Sequence, residues 1–152
     1  MSTSTVPAVL DAARTALAAY TGLTAVSVWT GPQGNMHGEN IVLASDEIVV
    51  AEECEGIGEN DRDESYSIPC VTWVEYPNGT ETEIKACRDR VYTLFGLVES
   101  YFNDATPQTV TATCRDAQVS GHTFRQGLLS ADVNGRWAQI DFTIDVEAQK
   151  AP

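Results

Sequence analysis

Residues 64–102 constrain this chain most. An alternating run, Glu64-Ser-Tyr-Ser-Ile-Pro-Cys-Val-Thr-Trp-Val-Glu-Tyr76, passes through Pro77-Asn78-Gly79 into one long amphipathic helix. In the run, Tyr66, Ile68, Cys70, Val74 and Tyr76 share one face, interrupted by Thr72. Ser65, Ser67, Val71, Trp73 and Glu75 share the other. Pro69 has no N–H to give to a ladder, so the strand is expected at a sheet edge or at a bulge. Trp73, off the core face, is expected either under a second layer or in front of a partner. Thr80-Glu-Thr-Glu83 fits a capping box, in which hydroxyl and carboxylate each satisfy a free amide of the helix start. Ile84, Cys87, Val91, Leu94, Val98 and Phe102 then fall on one helical face. About 22 residues at 1.5 Å each predict a rod of about 33 Å. Gly96 costs about 1 kcal/mol relative to Ala inside a helix, so it is expected to mark a close packing contact.

The flanking segments supply the remaining elements. A first helix is expected from about Thr5, with Pro7 in its opening turn and Val6, Val9, Leu10, Ala13, Leu17 and Tyr20 as its apolar stripe. Gly22 stops it. Residues 25–30 read as a strand, and residues 48–51 anchor a second that extends towards Cys54. After Pro107 the period returns to two, with a slip near Asp116. Residues 124–133 are expected to pair with residues 136–147 across Asn134-Gly135, the strongest short hairpin signal. In the last strand Ala138, Ile140, Phe142, Ile144 and Val146 face in, and Gln139, Asp141, Thr143, Asp145 and Glu147 face water. The expected fold is α+β: a mixed, mostly antiparallel sheet of about five to six strands carrying one long and one shorter helix. It is one domain over residues 1–152, with its core at 5–147 and a free tail at 148–152.

Two loops stand out. Residues 31–40 carry three Gly and one Pro with no periodicity. Residues 39–64 hold ten acidic residues against one basic, Arg62, and residues 55–64 form the expected acidic loop.

The charge balance narrows function. Twenty-two acidic and nine basic residues give a net charge of −13. Phosphate backbones are gripped by Lys and Arg that displace condensed cations, so sequence-specific nucleic-acid binding is not expected. An acidic surface either serves solubility or lines a passage that must not hold DNA. No apolar run approaches the roughly 20 residues of a membrane span, and the N-terminus lacks the basic and apolar stretches of a signal peptide. The four cysteines, Cys54, Cys70, Cys87 and Cys114, form no CxxC pair or Cys/His cluster, so buried thiols rather than zinc are expected.

No catalytic pattern emerges. His37 and His122 are the only histidines, both in turn-like settings without an orienting carboxylate at a telling spacing. Asp61, Asp63 and Glu64 cluster as calcium ligands do, but the sixth and twelfth positions from Asp61 hold Tyr66 and Thr72, not Gly and Glu. Glu83-Ile-Lys85 has the spacing of a metal-dependent nuclease core but opens a helix, where Glu83 already caps. The Gly-rich loop matches neither GxGxxG nor GxxxxGK[ST]. The expectation is no enzyme, no metal and no cofactor.

The order of elements is a Ser-Thr-Val-Pro helix, a strand ending Thr-Gly-Pro, an Ile-Val-Val strand, an acidic loop and the Tyr-Ser-Ile-Pro-Cys-Val strand. The long helix and a hairpin ending Ile-Asp-Phe-Thr-Ile-Asp-Val complete it. Over residues 4–147 this resembles the tail terminator proteins of long-tailed phages, especially those infecting actinobacteria. The resemblance rests on element order and short patterns and carries no catalytic motif. It implies a subunit of a homohexameric ring in the virion tail or neck, assembled in the host cytoplasm. Its implied partners are its own copies, the major tail tube protein and the head-to-tail connector, with DNA only passing through the lumen. The expected contact arms are the two loops, represented by Gly31, Gln33, Gly34, Asn35, Met36 and His37 and by Glu55, Glu59, Asp61 and Asp63. Trp73 is the expected contact on the strand. The alternatives are another neck protein, such as a stopper or adaptor, or a small α+β enzyme or ligand-binding domain.

Overall fold

A computed structural model describes residues 4–54, 62–77, 79–104, 110–111, 113–129 and 135–150. The elements run α1 (Val6–Ala19), β1 (Ser27–Trp29), β2 (Glu39–Leu43), β3 (Val50–Cys54), β4 (Arg62–Tyr76), α2 (Glu81–Asp104), β5 (Cys114–Leu128) and β6 (Arg136–Lys150). The strands make one six-stranded sheet in the order β1-β2-β4-β6-β5, with β3 joined to β4 alone. β1 runs parallel to β2, and the other pairings are antiparallel. This is the expected α+β architecture.

Both helices feed one core. α2 buries Cys87, Val91, Leu94, Phe95, Val98 and Phe102, which join Ile68, Cys70, Val74, Ile140, Phe142 and Ile144 of the sheet in a single apolar cluster. α1 adds Val9, Ala13 and Leu17 to the same cluster. Full burial of each such aliphatic side chain stabilises the fold by about 1.5–3 kcal/mol. At α1's end Tyr20 meets Tyr101 edge-on at 5.8 Å. Gly22 then reverses the chain at φ +94°, where a Cβ would lie 3.0 Å from Leu97 Cδ1. At the start of α2 the Glu83 amide donates to Thr80 Oγ1 at 3.3 Å, one arm of the capping box.

Several expectations need correction. Residues 39–43, placed in or beside the Gly-rich loop, form strand β2. Its Ile41, Val42 and Leu43 are buried in succession, so the alternation that announces a half-buried strand is missing. β4 is central rather than an edge, because β6 pairs along its whole length. Pro69 is nonetheless at a local edge. On the other side of β4, β2 covers residues 70–74 and β3 covers 62–66, leaving a gap between them. The Pro69 carbonyl points into that gap and accepts from Ser45 N–H at 2.9 Å. N–H and C=O of a strand residue project to the same side, so the missing donor costs no ladder bond.

Three further differences follow from packing. Nothing lies within 4 Å of a Cβ built on Gly96, so it marks no close contact. Residues 148–150 belong to β6 rather than to a free tail, and Ala148 is buried. The β5–β6 hairpin forms, but not with a two-residue Asn134-Gly135 turn. Leu129 N–H donates to the Gly135 carbonyl at 3.0 Å and Phe124 pairs with Ile140, so Gly135 is already on the ladder side. Val133 and Asn134 lie outside the described residues. The strand expected to resume after Pro107 begins only at Cys114 and carries register shifts at Cys114/Asp116 and Ser120/His122. The first of these is the slip expected near Asp116.

Candidate interaction surface

Strand parity divides the sheet into a helix-bearing face and an open one. Because Tyr66, Ile68 and Cys70 join the core, Ser65, Ser67, Pro69, Val71 and Trp73 fall on the open face. By the same rule Trp137, Asp141, Asp145 and Glu147 of β6 share it, since Ala138, Ile140, Phe142, Ile144 and Val146 are in the core. β1 and β2 contribute Trp29, Asn40 and Val42. All three tryptophans of the chain therefore sit on the face that no helix covers.

One end of this face is aromatic. Trp73 and Trp137, diagonal neighbours across β4 and β6, stack with centroids 5.1 Å apart and planes 13° from parallel. Trp137 Nε1 donates to the Leu128 carbonyl at 3.0 Å. Gly127 lies under its ring, and a Cβ there would come within 2.8 Å of Cζ2. Trp73 Nε1 is buried with no hydrogen-bond partner, a cost of about 1–3 kcal/mol. The row beside the stack runs from half-exposed Trp29 through buried Val42 and Val71 to Asp141. Trp73 is thus partly covered by a second tryptophan rather than by a second layer.

The Gly-rich loop, residues 31–38, is fastened to this end. Trp29 Nε1 donates to Asn40 Oδ1 at 2.9 Å, and Asn40 Nδ2 donates to the His37 carbonyl at 2.8 Å. His37 Nδ1 lies 3.2 Å from Glu75 Oε1, while Glu75 N–H donates to the Gly38 carbonyl. Gln33, Gly34, Asn35 and His37 are exposed, and Gly31 and Met36 are half-buried. Arg90 of α2 grips Glu39 at the loop's exit through two bonds of 2.8 Å, and that carboxylate raises the guanidinium's pKa further.

The opposite end is acidic. A hollow of about 620 Å³ is lined by Ser65, Ser67, Ser120 and Thr143 together with four carboxylates, Glu47, Asp116, Asp145 and Glu147. Ser67 Oγ donates to Asp145 Oδ1 at 2.5 Å. Asp63, in strand β4 and not in a loop, accepts from Arg115 at 2.7 Å. Ten strand residues separate Asp63 from Trp73, about 33 Å, so these two residues occupy opposite ends of one face. Glu55, Glu59 and Asp61 lie outside the described residues.

Glu64, expected in the solvated acidic loop, is the largest departure. It is 1% exposed on the helix-bearing face. Oε2 accepts from Thr5 N–H at 2.8 Å, Thr5 Oγ1 at 2.6 Å and Ser4 Oγ at 3.3 Å, so it holds the start of α1. Lys150 Nζ is 3.9 Å from Oε1, which has no hydrogen bond. Lys150 and Arg62 also hold the Glu52 carboxyl below its ordinary pKa.

Cys70, Cys87 and Cys114 are free and buried; the Cys54 side chain lies outside the described residues. Burial pushes the Cys70 thiol up to about 12 and the Tyr66 phenol to about 12. Among the described residues no group of three His, Cys, Asp or Glu side chains is placed to hold a metal ion. No helix there is long and apolar enough to cross a membrane.

The sequence singled out His37 and Trp73, which the fold brings to one end of the face. It missed Trp137 as Trp73's partner and the Asp116–Glu147 opposition. Trp137 was visible as the residue out of phase with Ala138, but its register against β4 was not. No protein-family model and no curated protein matches this chain.

Proposed function

We propose that this protein is a phage tail terminator, one subunit of a homohexameric ring that caps the tail tube, stops its growth and joins it to the head connector. The observation that supports this most is the single-sided packing of the sheet. Both helices lie on one face, and the other is left with an aromatic platform, a tethered loop and an acidic hollow. A small subunit with one open face is suited to lie against neighbours in an assembly, and a heterologous contact that closes by rotation yields a finite ring. Carboxylates turned to a lumen would repel passing phosphates rather than bind them.

The test is elongation. Purified tail tubes supplied with tube protein are expected to stop lengthening when this chain is added at ring stoichiometry. Tubes that grow to the same length distribution with and without it would refute the reading.

A further inference from the structure

We propose that Lys150 is a shared counter-ion, contested by buried Glu64 and exposed Glu52, so that the charge state of Glu52 on β3 sets how tightly α1 is docked. The device does not rest on the tube-capping reading.

Four charged side chains meet where β3, β4 and β6 run side by side. Glu52 opposes Glu64 in the β3–β4 register, and Arg62 opposes Lys150 in the β4–β6 register. Tyr66 and Ala148 are core residues, so alternation puts all four on the helix-bearing face. Like charges directly opposed repel, and each carboxylate depends on the cations beside it. Glu52 has two, Arg62 at 3.2 Å and Lys150 at 3.0 Å. Among the described residues Glu64 has one, Lys150, at 3.9 Å.

That distribution favours the carboxylate that needs it less. The Glu52 side chain is 37% exposed and the Glu64 side chain 0%. An ion pair in water contributes little, whereas a buried charge without compensation is costly. Lys150 Nζ nonetheless lies nearer Glu52, and Glu64 Oε1 is left without a hydrogen bond. A charge-assisted bond to Oε1, at about 2.7–2.9 Å, takes a shift of about 1 Å in the ammonium. Its flexible stem permits the shift, and Glu52 restrains it.

Glu64 is the link to α1. Its Oε2 accepts from the Thr5 amide and hydroxyl, and the Thr5 carbonyl accepts from Val9 N–H in the helix's first turn. Docking the start of α1 on Glu64 helps take the carboxylate out of water. The cost of that step falls when Lys150 closes on Oε1 and rises while Glu52 holds Lys150 away. β3 joins β4 alone, so Glu52 is the open end of the relay. A positive charge brought to Glu52 frees Lys150 and tightens a helix that it does not touch.

Hydrogen exchange at the Val9, Ala13 and Leu17 amides reads α1 opening, with Ile140 and Ile144 of β6 as the internal standard. Glu52→Gln is expected to slow α1 exchange by about threefold or more, although it deletes two surface ion pairs. Glu53→Gln removes the same charge from the next residue, which pairs with Asp63 on the open face. It is expected to change α1 exchange by less than about 1.5-fold. Lys150→Met is expected to speed it by about threefold or more, and adding Glu52→Gln to that variant should change nothing further, because the shared cation is gone. Unchanged or faster α1 exchange in Glu52→Gln overturns the proposal, and that variant decides the matter even if Lys150→Met does not fold. Equal slowing by Glu53→Gln overturns it too, since net charge alone would then be the cause. So does an effect of Glu52→Gln that survives without Lys150.

Discussion

Glu64 offers the sharpest test of how the fold is held. Its side chain is 0% exposed and its Oε2 takes the Thr5 amide and hydroxyl at 2.8 and 2.6 Å. Replacing it with Ala strands the Thr5 amide beneath α1, at about 1–3 kcal/mol, while the Thr5 hydroxyl keeps the Tyr66 hydroxyl at 3.1 Å. It also removes a carboxylate from a helix N-terminus, about 0.3–1 kcal/mol more. Against this stands the cost of keeping a carboxylate buried, which the substitution recovers. The net expectation for Glu64→Ala is a loss of about 2–3 kcal/mol. Glu64→Gln keeps shape and one acceptor for Thr5 while losing charge, so about 1–2 kcal/mol is expected. Urea unfolding followed by far-ultraviolet circular dichroism measures both. Hydrogen exchange locates the effect, which should fall on α1 amides before those of β6. An Ala variant within about 0.5 kcal/mol of the parent, or Gln and Ala losses that are equal, would refute the latch.

Other changes follow from the same geometry. Gly127→Ala puts a Cβ 2.8 Å from the Trp137 ring, so the exciton signal of the stacked tryptophans in circular dichroism should collapse, with a loss of about 1–3 kcal/mol; a retained couplet would show that the ring yields freely. Ala44 sits at φ +55°, so Ala44→Gly is expected to raise stability by up to about 1 kcal/mol in urea unfolding, and a loss would show that the left-handed backbone there is not strained. Tyr66 and Cys70 bind their protons more tightly in the folded chain, at about 12 each against ordinary values of 10.0 and 9.0. Folded values above unfolded ones mean the contribution is whole below about pH 9 and declines as pH rises towards 12. Urea midpoints should hold from pH 7 to 8.5 and fall by pH 10.5; a flat profile would contradict the burial of these groups.

Much of the architecture was legible because hydrophobic period reports burial directly. The stripes of α1 and α2 and the alternation of β4 and β6 each have one wet side, so the pattern names the core residues. β2 was hidden because Ile41, Val42 and Leu43 are buried in succession, which erases alternation. Glu64 was hidden because a carboxylate in an acidic run is normally solvated, and only the tertiary approach of Thr5 explains its burial. The Asn134-Gly135 signal was overridden by side-chain fit: Phe124 opposite Ile140 and Trp137 over Gly127 set a register that a two-residue turn would break. As for the candidate surface, parity placed Trp73 and Asp145 on the open face. Register, which joins Trp73 to Trp137 and opposes Asp116 to Glu147, is a long-range property with no local sequence signature.

The central claim is that this chain acts by capping a tube. Electron microscopy of the protein mixed with purified tail tubes tests it most directly. The account predicts a six-fold ring seated on one end of each tube, and none on tubes imaged without the protein. Bare tube ends at saturating protein, with the chain remaining monomeric in the background, would contradict it.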